Sequence, residues 1–216
     1  MKQNNIDTVL FDLDGTLINT YELILQSFLH TFREFGFHQI KKEDCYSFIG
    51  PSLDETFSKI SPEQADEMIA CYREYNDKFH DELVKEFDGV RETVEALSVG
   101  GYKLAVVSTK IRKMVLKGLK TTGLYEYFPV VVSLDDVKNA KPNPEPLIKA
   151  MDKLGAKPEH TIMVGDSYHD ILGAKNTGVR SVGVSWTIQG KDYLQKLGPD
   201  YMIDHMKELL PIVGVK

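Results

Sequence analysis

The apolar run Thr8-Val9-Leu10-Phe11 has the length and continuity of one buried strand. Beyond it the spacing turns helical: Ile24, Phe28, Phe32 and Phe35 recur every three or four residues, and Gly36 follows as a C-terminal cap. Further helices are predicted over Leu53–Ile60 and Pro62–Leu83, the second with the Ser61 hydroxyl as cap and Pro62 in the first turn. Residues 17–85 therefore read as all-helical. From Val90 the pattern alternates. Helices are expected at Val90–Leu97, Lys113–Thr122, Glu145–Leu154, His169–Asn176 and the C-terminus. Strands are expected at Tyr102–Ser108, Val130–Val132, Thr161–Gly165, Arg180–Ser185 and Tyr201–Ile203. Continuous Val/Ile/Leu strands alternating with helices indicate a parallel sheet covered on both faces. The expected class is α/β: a Rossmann-like, three-layer core of residues 1–16 and 86–216, with 17–85 inserted as a helical unit.

Charge supports that division. The 216 residues carry a net −6; residues 17–85 hold seven Lys/Arg and thirteen Asp/Glu, and the remainder nineteen of each. Such a balance lacks the basic face a nucleic-acid partner requires. Apolar runs are strand-sized, well short of the roughly 20 residues of a membrane helix. The N-terminus, Met1 to Asn5, has no signal-like apolar region, and Cys45 and Cys71 read as reduced thiols. A cytoplasmic location away from membranes is expected.

In open α/β sheets ligands bind beyond the carboxyl ends of the strands. The polar residues that interrupt the apolar runs fall at those ends. Strand one ends in Asp12-Leu13-Asp14-Gly15-Thr16, the next core strand in Ser108-Thr109-Lys110, and a later one in Gly165-Asp166-Ser167, with Asp170 a helical turn on. Lys141 lies between them in Ala140-Lys141-Pro142-Asn143-Pro144. Residues two apart on a strand point the same way, so Asp12 and Asp14 can share one small volume. Two acids there call for a cation, or for one acting as nucleophile beside an acid–base partner. Asp12, Asp14 and Asp166 supply the hard oxygens that suit Mg²⁺. Ser108, helix-start amides and Lys141 suit a phosphoryl group, whose transfer demands an offset of anionic repulsion. Singly, each has an ordinary alternative: Asp166 as a helix cap, Ser108 as a turn residue, Lys141 as a solvated charge, Asp170 as a surface acid.

Taken in order, these motifs resemble the haloacid dehalogenase superfamily of phosphohydrolases, and residues 17–85 resemble its small helical cap. The resemblance implies that Asp12 is the nucleophile and becomes an aspartyl-phosphate, and that Asp14 protonates the leaving group and then activates water. Asp12, the Asp14 carbonyl and Asp166 would hold Mg²⁺, and Asp170 would support its water shell. Ser108 and Lys141 would hold the phosphoryl group. The candidate phosphate-binding set is Gly15, Thr16, Ser108, Thr109, Lys110 and Gly50. Leu17-Ile18-Asn19-Thr20, Phe48-Ile49-Gly50-Pro51-Ser52-Leu53, Thr56-Phe57-Ser58-Lys59-Ile60 and Gly183-Val184-Ser185-Trp186-Thr187 resemble the family's bacterial pyrophosphatases. A small phosphorylated substrate, pyrophosphate, is therefore expected; phosphoglycolate is the alternative, followed by a phosphomutase or a non-enzymatic phosphoacceptor. Four side assignments stay open. Gly50-Pro51-Ser52 is either an amide loop over the site or a turn with Ser52 as cap. Lys110 either reaches the leaving phosphate or is solvated, Trp186 either walls the pocket or packs in the interior, and His169 lies at the pocket edge or faces solvent.

Overall fold

The computed structural model describes residues 6–215; the expected core ends 1–5 and 216 lie outside the described residues. Six strands form one parallel sheet in the order β5-β4-β1-β6-β7-β8. They are β1 (Thr8–Phe11), β4 (Lys103–Val107), β5 (Val130–Val132), β6 (Thr161–Gly165), β7 (Arg180–Val184) and β8 (Tyr201–Ile203). In the register of the centre, Leu10 of β1 faces Ala105 on one side and Met163 on the other.

Burial on both faces explains the unbroken apolar runs. Val9 and Phe11, Leu104 and Val106, and Ile162 and Val164 point to one face, where α4 (Val90–Val99), α5 (Arg112–Thr121) and α9 (Leu209–Val213) pack. Leu10, Ala105, Val107 and Met163 point to the other, against α6 (Glu145–Leu154) and α7 (Tyr168–Thr177). The alternation follows from the two-residue side-chain period of a strand. It yields the three layers read from the sequence.

The inserted segment builds its own apolar cluster. Helices α1 (Tyr21–Glu34), α2 (Leu53–Ile60) and α3 (Ala65–Leu83) surround Phe28, Phe32, Phe57, Met68 and Tyr72. The Phe28 ring lies 4.8 Å from Tyr72 and 5.6 Å from Phe57. Each such ring contributes about 1.5–3 kcal/mol by leaving water.

Several details differ from the sequence reading. The insert is not wholly helical: β2 (Ile18–Asn19) and β3 (Lys85–Glu86) pair antiparallel where the chain leaves and re-enters the core. Leu17, Ile18, Leu23 and Val84 are buried with the core cluster rather than with the insert. The Ser61 hydroxyl donates to the Glu63 and Gln64 side chains instead of capping a backbone amide, and a 3-10 turn over Pro62–Gln64 precedes α3. A short helix not anticipated, α8 (Lys191–Lys196), follows β7. No helix among the described residues is long and apolar enough to cross a membrane.

Candidate active site

Adjacent strands β4, β1 and β6 carry their polar termini to one end of the sheet. A cavity of about 130 Å³ opens there between core and insert. Asp12, Asp14, Ser108, Thr109, Lys110, Lys141 and Asp166 line its floor, and Phe28, Phe48, Ile49, Gly50, Tyr72 and Arg73 come from the insert.

Lys141 is the electrostatic centre. Its side chain is 2 % exposed, and its ammonium donates to Asp12 Oδ1 at 2.7 Å, Asp170 Oδ1 at 2.6 Å and the Val107 carbonyl at 2.6 Å. Burial opposes its charge, but Asp12 and Asp170 outweigh it and raise the ammonium above its ordinary value. Lys141 is thus no solvated loop charge. Asp170 is no surface acid either: it is fully buried, and its other oxygen accepts from the Ser167 amide and hydroxyl in a capping box at the start of α7. The cap of that helix is Ser167, which leaves Asp166 free for another role.

Asp12, Asp166 and Asp170 offer oxygens within 4.8 Å of one another, all buried. Burial pushes the Asp12 carboxyl up to about 7, against the pull of Lys141. Burial and the neighbouring Asp12 and Asp170 charges raise Asp166 well above the usual carboxylate range. Three carboxylates against one ammonium leave a surplus negative charge among hard oxygen donors. That surplus fits a small divalent cation such as Mg²⁺.

The two acids of the first motif part company. Asp12 goes to Lys141, whereas the Asp14 carboxylate accepts from Lys110 Nζ at 2.8 Å. Lys110 is therefore only 15 % exposed rather than solvated. The Asp14 side chain lies outside the three-acid cluster, so only its carbonyl is left for the metal role first given to it. Ser108 lines the cavity, with its hydroxyl accepting the Lys110 amide at 3.2 Å. Thr109 Oγ1 donates to the Gly50 carbonyl at 3.1 Å and so ties core to insert. The Gly50 loop thus closes over the site, while Ser52 caps α2 by accepting the Glu55 amide.

Gly15 and Thr16, expected among the phosphate-binding residues, do not line the cavity. The Gly15 amide donates to the Ile18 carbonyl at 2.8 Å, and the buried Thr16 hydroxyl donates to Asp166 Oδ1 at 3.2 Å. The tight turn after β1, with Gly15 at φ +79°, consumes both groups internally. Trp186 packs 5.7 Å from the Phe87 ring and does not line the cavity. His169 does line it, half-buried beside Gly50, and burial lowers its imidazole.

Sequence reasoning missed Arg73, Asn76 and Tyr21. Arg73 and the buried Asn76 reach the cavity from one face of α3, four residues on from the buried Ile69 and Tyr72 respectively. Tyr21 donates its hydroxyl to Asp166 Oδ2 at 2.8 Å. A polar-tipped aromatic opening the helix after the first motif is the signal that could have marked it.

Residues 9–184 match the family model described as haloacid dehalogenase-like hydrolase. The chain is 55 % identical over 209 residues to pyrophosphatase PpaX of Bacillus mycoides (strain KBAB4), covering 97 % of each protein. It superposes on a haloacid dehalogenase-like family hydrolase from Streptococcus pneumoniae with a TM-score of 0.86 at 26 % identity, over 97 % of this chain and 99 % of that one. It superposes on a predicted phosphoglycolate phosphatase from Haemophilus somnus 129pt with a TM-score of 0.84 at 26 % identity, over 96 % and 98 %. A buried lysine among strand-end carboxylates, a family match across most of the chain and near-complete coverage of these relatives converge: the chain belongs to the haloacid dehalogenase-like hydrolases and is a hydrolase of the phosphatase type.

Proposed function

We propose that this protein hydrolyses inorganic pyrophosphate to two phosphates through an aspartyl-phosphate on Asp12, with Mg²⁺ as cofactor. One observation carries the choice of substrate: the 55 % identity, across 97 % of both chains, to a protein named a pyrophosphatase. The site chemistry supports the reaction class. Asp12 and Asp166, with the Asp14 carbonyl, would hold the cation, and Asp170 would stand behind them. When bound, Mg²⁺ supplies positive charge that offsets the repulsion between the carboxylate and the phosphoryl oxygens.

The chain's own groups perform the rest. Lys141 fixes Asp12 through one carboxylate oxygen and offers its charge to the incoming phosphoryl group. The Asp12 carboxylate forms a bond to phosphorus as the bridging P–O bond breaks, and the bridging electron pair leaves with the departing phosphate. Asp14, protonated for this step, gives that phosphate a proton. Lys110, paired with Asp14 on the cavity floor, and Arg73 from the insert supply cations for the departing phosphate. Asp14, now a base, takes a proton from the water that attacks phosphorus. The Asp12–phosphorus bond then breaks, and the second phosphate leaves. The insert limits water access by the Thr109–Gly50 bond and by Phe28, Phe48 and Ile49 over the cavity.

Phosphoglycolate is the second reading. The apolar wall from the insert favours it, because pyrophosphate has no carbon to meet Phe28 or Ile49. Initial rates with Mg²⁺ on pyrophosphate, phosphoglycolate and an aryl phosphate decide between them. We expect kcat/KM to be highest on pyrophosphate; a higher value on phosphoglycolate overturns the assignment.

A further inference from the structure

We propose that Tyr21 is a positioning residue that couples cation binding at Asp166 to the seating of the insert on the core. The inference rests on the reading of Asp166 as a cation ligand and goes beyond it.

Three segments meet at the Tyr21 hydroxyl. It donates to Asp166 Oδ2 at 2.8 Å, which is much closer than the Gly15 carbonyl at 3.3 Å. It accepts the backbone amide of Ile188 at 3.3 Å. Tyr21 is the first residue of α1, the helix that begins the insert. Ile188 belongs to the loop after β7, and that loop reaches the insert directly. The Ile188 side chain packs on the insert's apolar cluster, and Gln189 Nε2 donates to the Tyr46 carbonyl at 2.9 Å. The loop is a core strap laid on the insert, and Tyr21 links it to Asp166.

Gly15 makes room for this link. A Cβ at position 15 would lie 2.5 Å from the Tyr21 hydroxyl and 2.4 Å from Asp166 Oδ2, so any side chain there would occupy the bond. The glycine therefore serves the Tyr21–Asp166 approach as well as its own turn. Tyr21 does not line the cavity, so it acts through Asp166 and not on substrate.

The donor set around Asp166 gives the link its chemical effect. Asp12 and Asp170 are each paired with the Lys141 ammonium. Asp166 is held instead by two hydroxyls, Thr16 on Oδ1 and Tyr21 on Oδ2. Neutral donors orient a carboxyl group without an opposing charge of their own, so Thr16 and Tyr21 hold Asp166 in one fixed orientation toward a cation. Hydrogen bonds of this kind behind a ligand typically contribute about 10–100-fold to metal affinity. Binding that favours the oriented Asp166 also favours the Tyr21 rotamer that holds Ile188. By reciprocity, seating of the strap strengthens cation binding by the same factor.

The test uses the full chain and Mg²⁺ alone, without substrate. Calorimetric titration of Tyr21→Phe, checked for an unchanged folded spectrum, is expected to give a Kd for Mg²⁺ at least about ten-fold above wild type. Hydrogen exchange on the wild-type protein is expected to show Mg²⁺ slowing the Ile188 amide, a readout that needs no variant. An unchanged Kd in folded Tyr21→Phe, or an Ile188 amide indifferent to Mg²⁺ in wild type, overturns the proposal. Asp166→Asn separates the two levels: Mg²⁺ affinity retained in that variant overturns the ligand reading itself, whereas affinity lost there but unchanged in Tyr21→Phe overturns only the role of Tyr21.

Discussion

The Lys141 ammonium sits 2.7 Å from the Asp12 carboxylate, with 2 % of the lysine side chain exposed. The same nitrogen holds Asp170 at 2.6 Å, so one buried cation is shared by two buried carboxyl groups. Removing one partner of such a group costs about 3–5 kcal/mol, because the remaining charge stays desolvated. Lys141→Met should therefore lose about that much stability in urea unfolding at neutral pH, along with all turnover. Adding Asp170→Asn to it removes one stranded anion and should recover part of the loss. A double variant no more stable than Lys141→Met would show that the lysine acts by packing alone.

Asp14 and Asp12 separate by mutation because their partners differ: Lys110 at 2.8 Å for one, Lys141 for the other. On the proposed mechanism Asp12→Asn removes the nucleophile and should abolish both turnover and acid-stable phosphoprotein. On the same mechanism Asp14→Asn removes the acid–base group, an expected loss of about 10²–10⁴-fold in rate. The departing phosphate of pyrophosphate needs little help from an acid, whereas water needs a base. The second step should therefore slow more, and quenched Asp14→Asn should contain phosphoprotein above the wild-type level. A variant that turns over slowly without accumulating phosphoprotein would place Asp14 in the first step only.

Most of this arrangement was legible in the chain for a specific physical reason. Strands buried on both faces must be continuously apolar, so β1 and β6 are bounded by the residues expected. Their first polar residues must then lie at the sheet end, and β4, β1 and β6 are neighbours. That alone brings Ser108, Asp12 and Asp166 together. What stayed hidden depends on short or tertiary contacts. The ladder Ile18–Asn19 with Lys85–Glu86 is too short to show a period. Gly15 and Thr16 look available to a phosphate until the turn is built and Ile18 and Asp166 take their donors. The Lys110–Asp14 pair spans 96 positions, and no local pattern encodes it.

Gly50 offers a test of the closed insert. Its φ of +113° is unfavourable for a side chain, and an added Cβ would lie 2.9 Å from His169 Nδ1. Gly50→Ala should cost about 1–3 kcal/mol of local strain. It should also displace the carbonyl that accepts from Thr109, raising KM for pyrophosphate and lowering kcat/KM. Adding His169→Ala removes the clash but not the backbone strain, so it should restore KM only in part. Full restoration would assign the whole effect to the imidazole.

His80 predicts how stability responds to pH. It lies near the end of α3 with no side-chain exposure; Nδ1 is 2.9 Å from Asp81 Oδ1, and Nε2 has no hydrogen-bond partner. Gly118 of α5 faces that nitrogen, at 3.7 Å from where its Cβ would be. Burial lowers the imidazole below its ordinary 6.5; Lys110 and Lys117 add to the effect, and Asp81 opposes it. The unfolded chain then binds the proton more readily than the folded one, so stability rises with pH across the window just below 6.5. Above 6.5 the ring is neutral in both states and the dependence from this group vanishes. Urea midpoints from pH 5 to 8 should therefore fall on the acid side in wild type, and fall less in His80→Gln. Parallel curves for the two proteins would mean that the acid-side loss comes from other groups, His169 first among them.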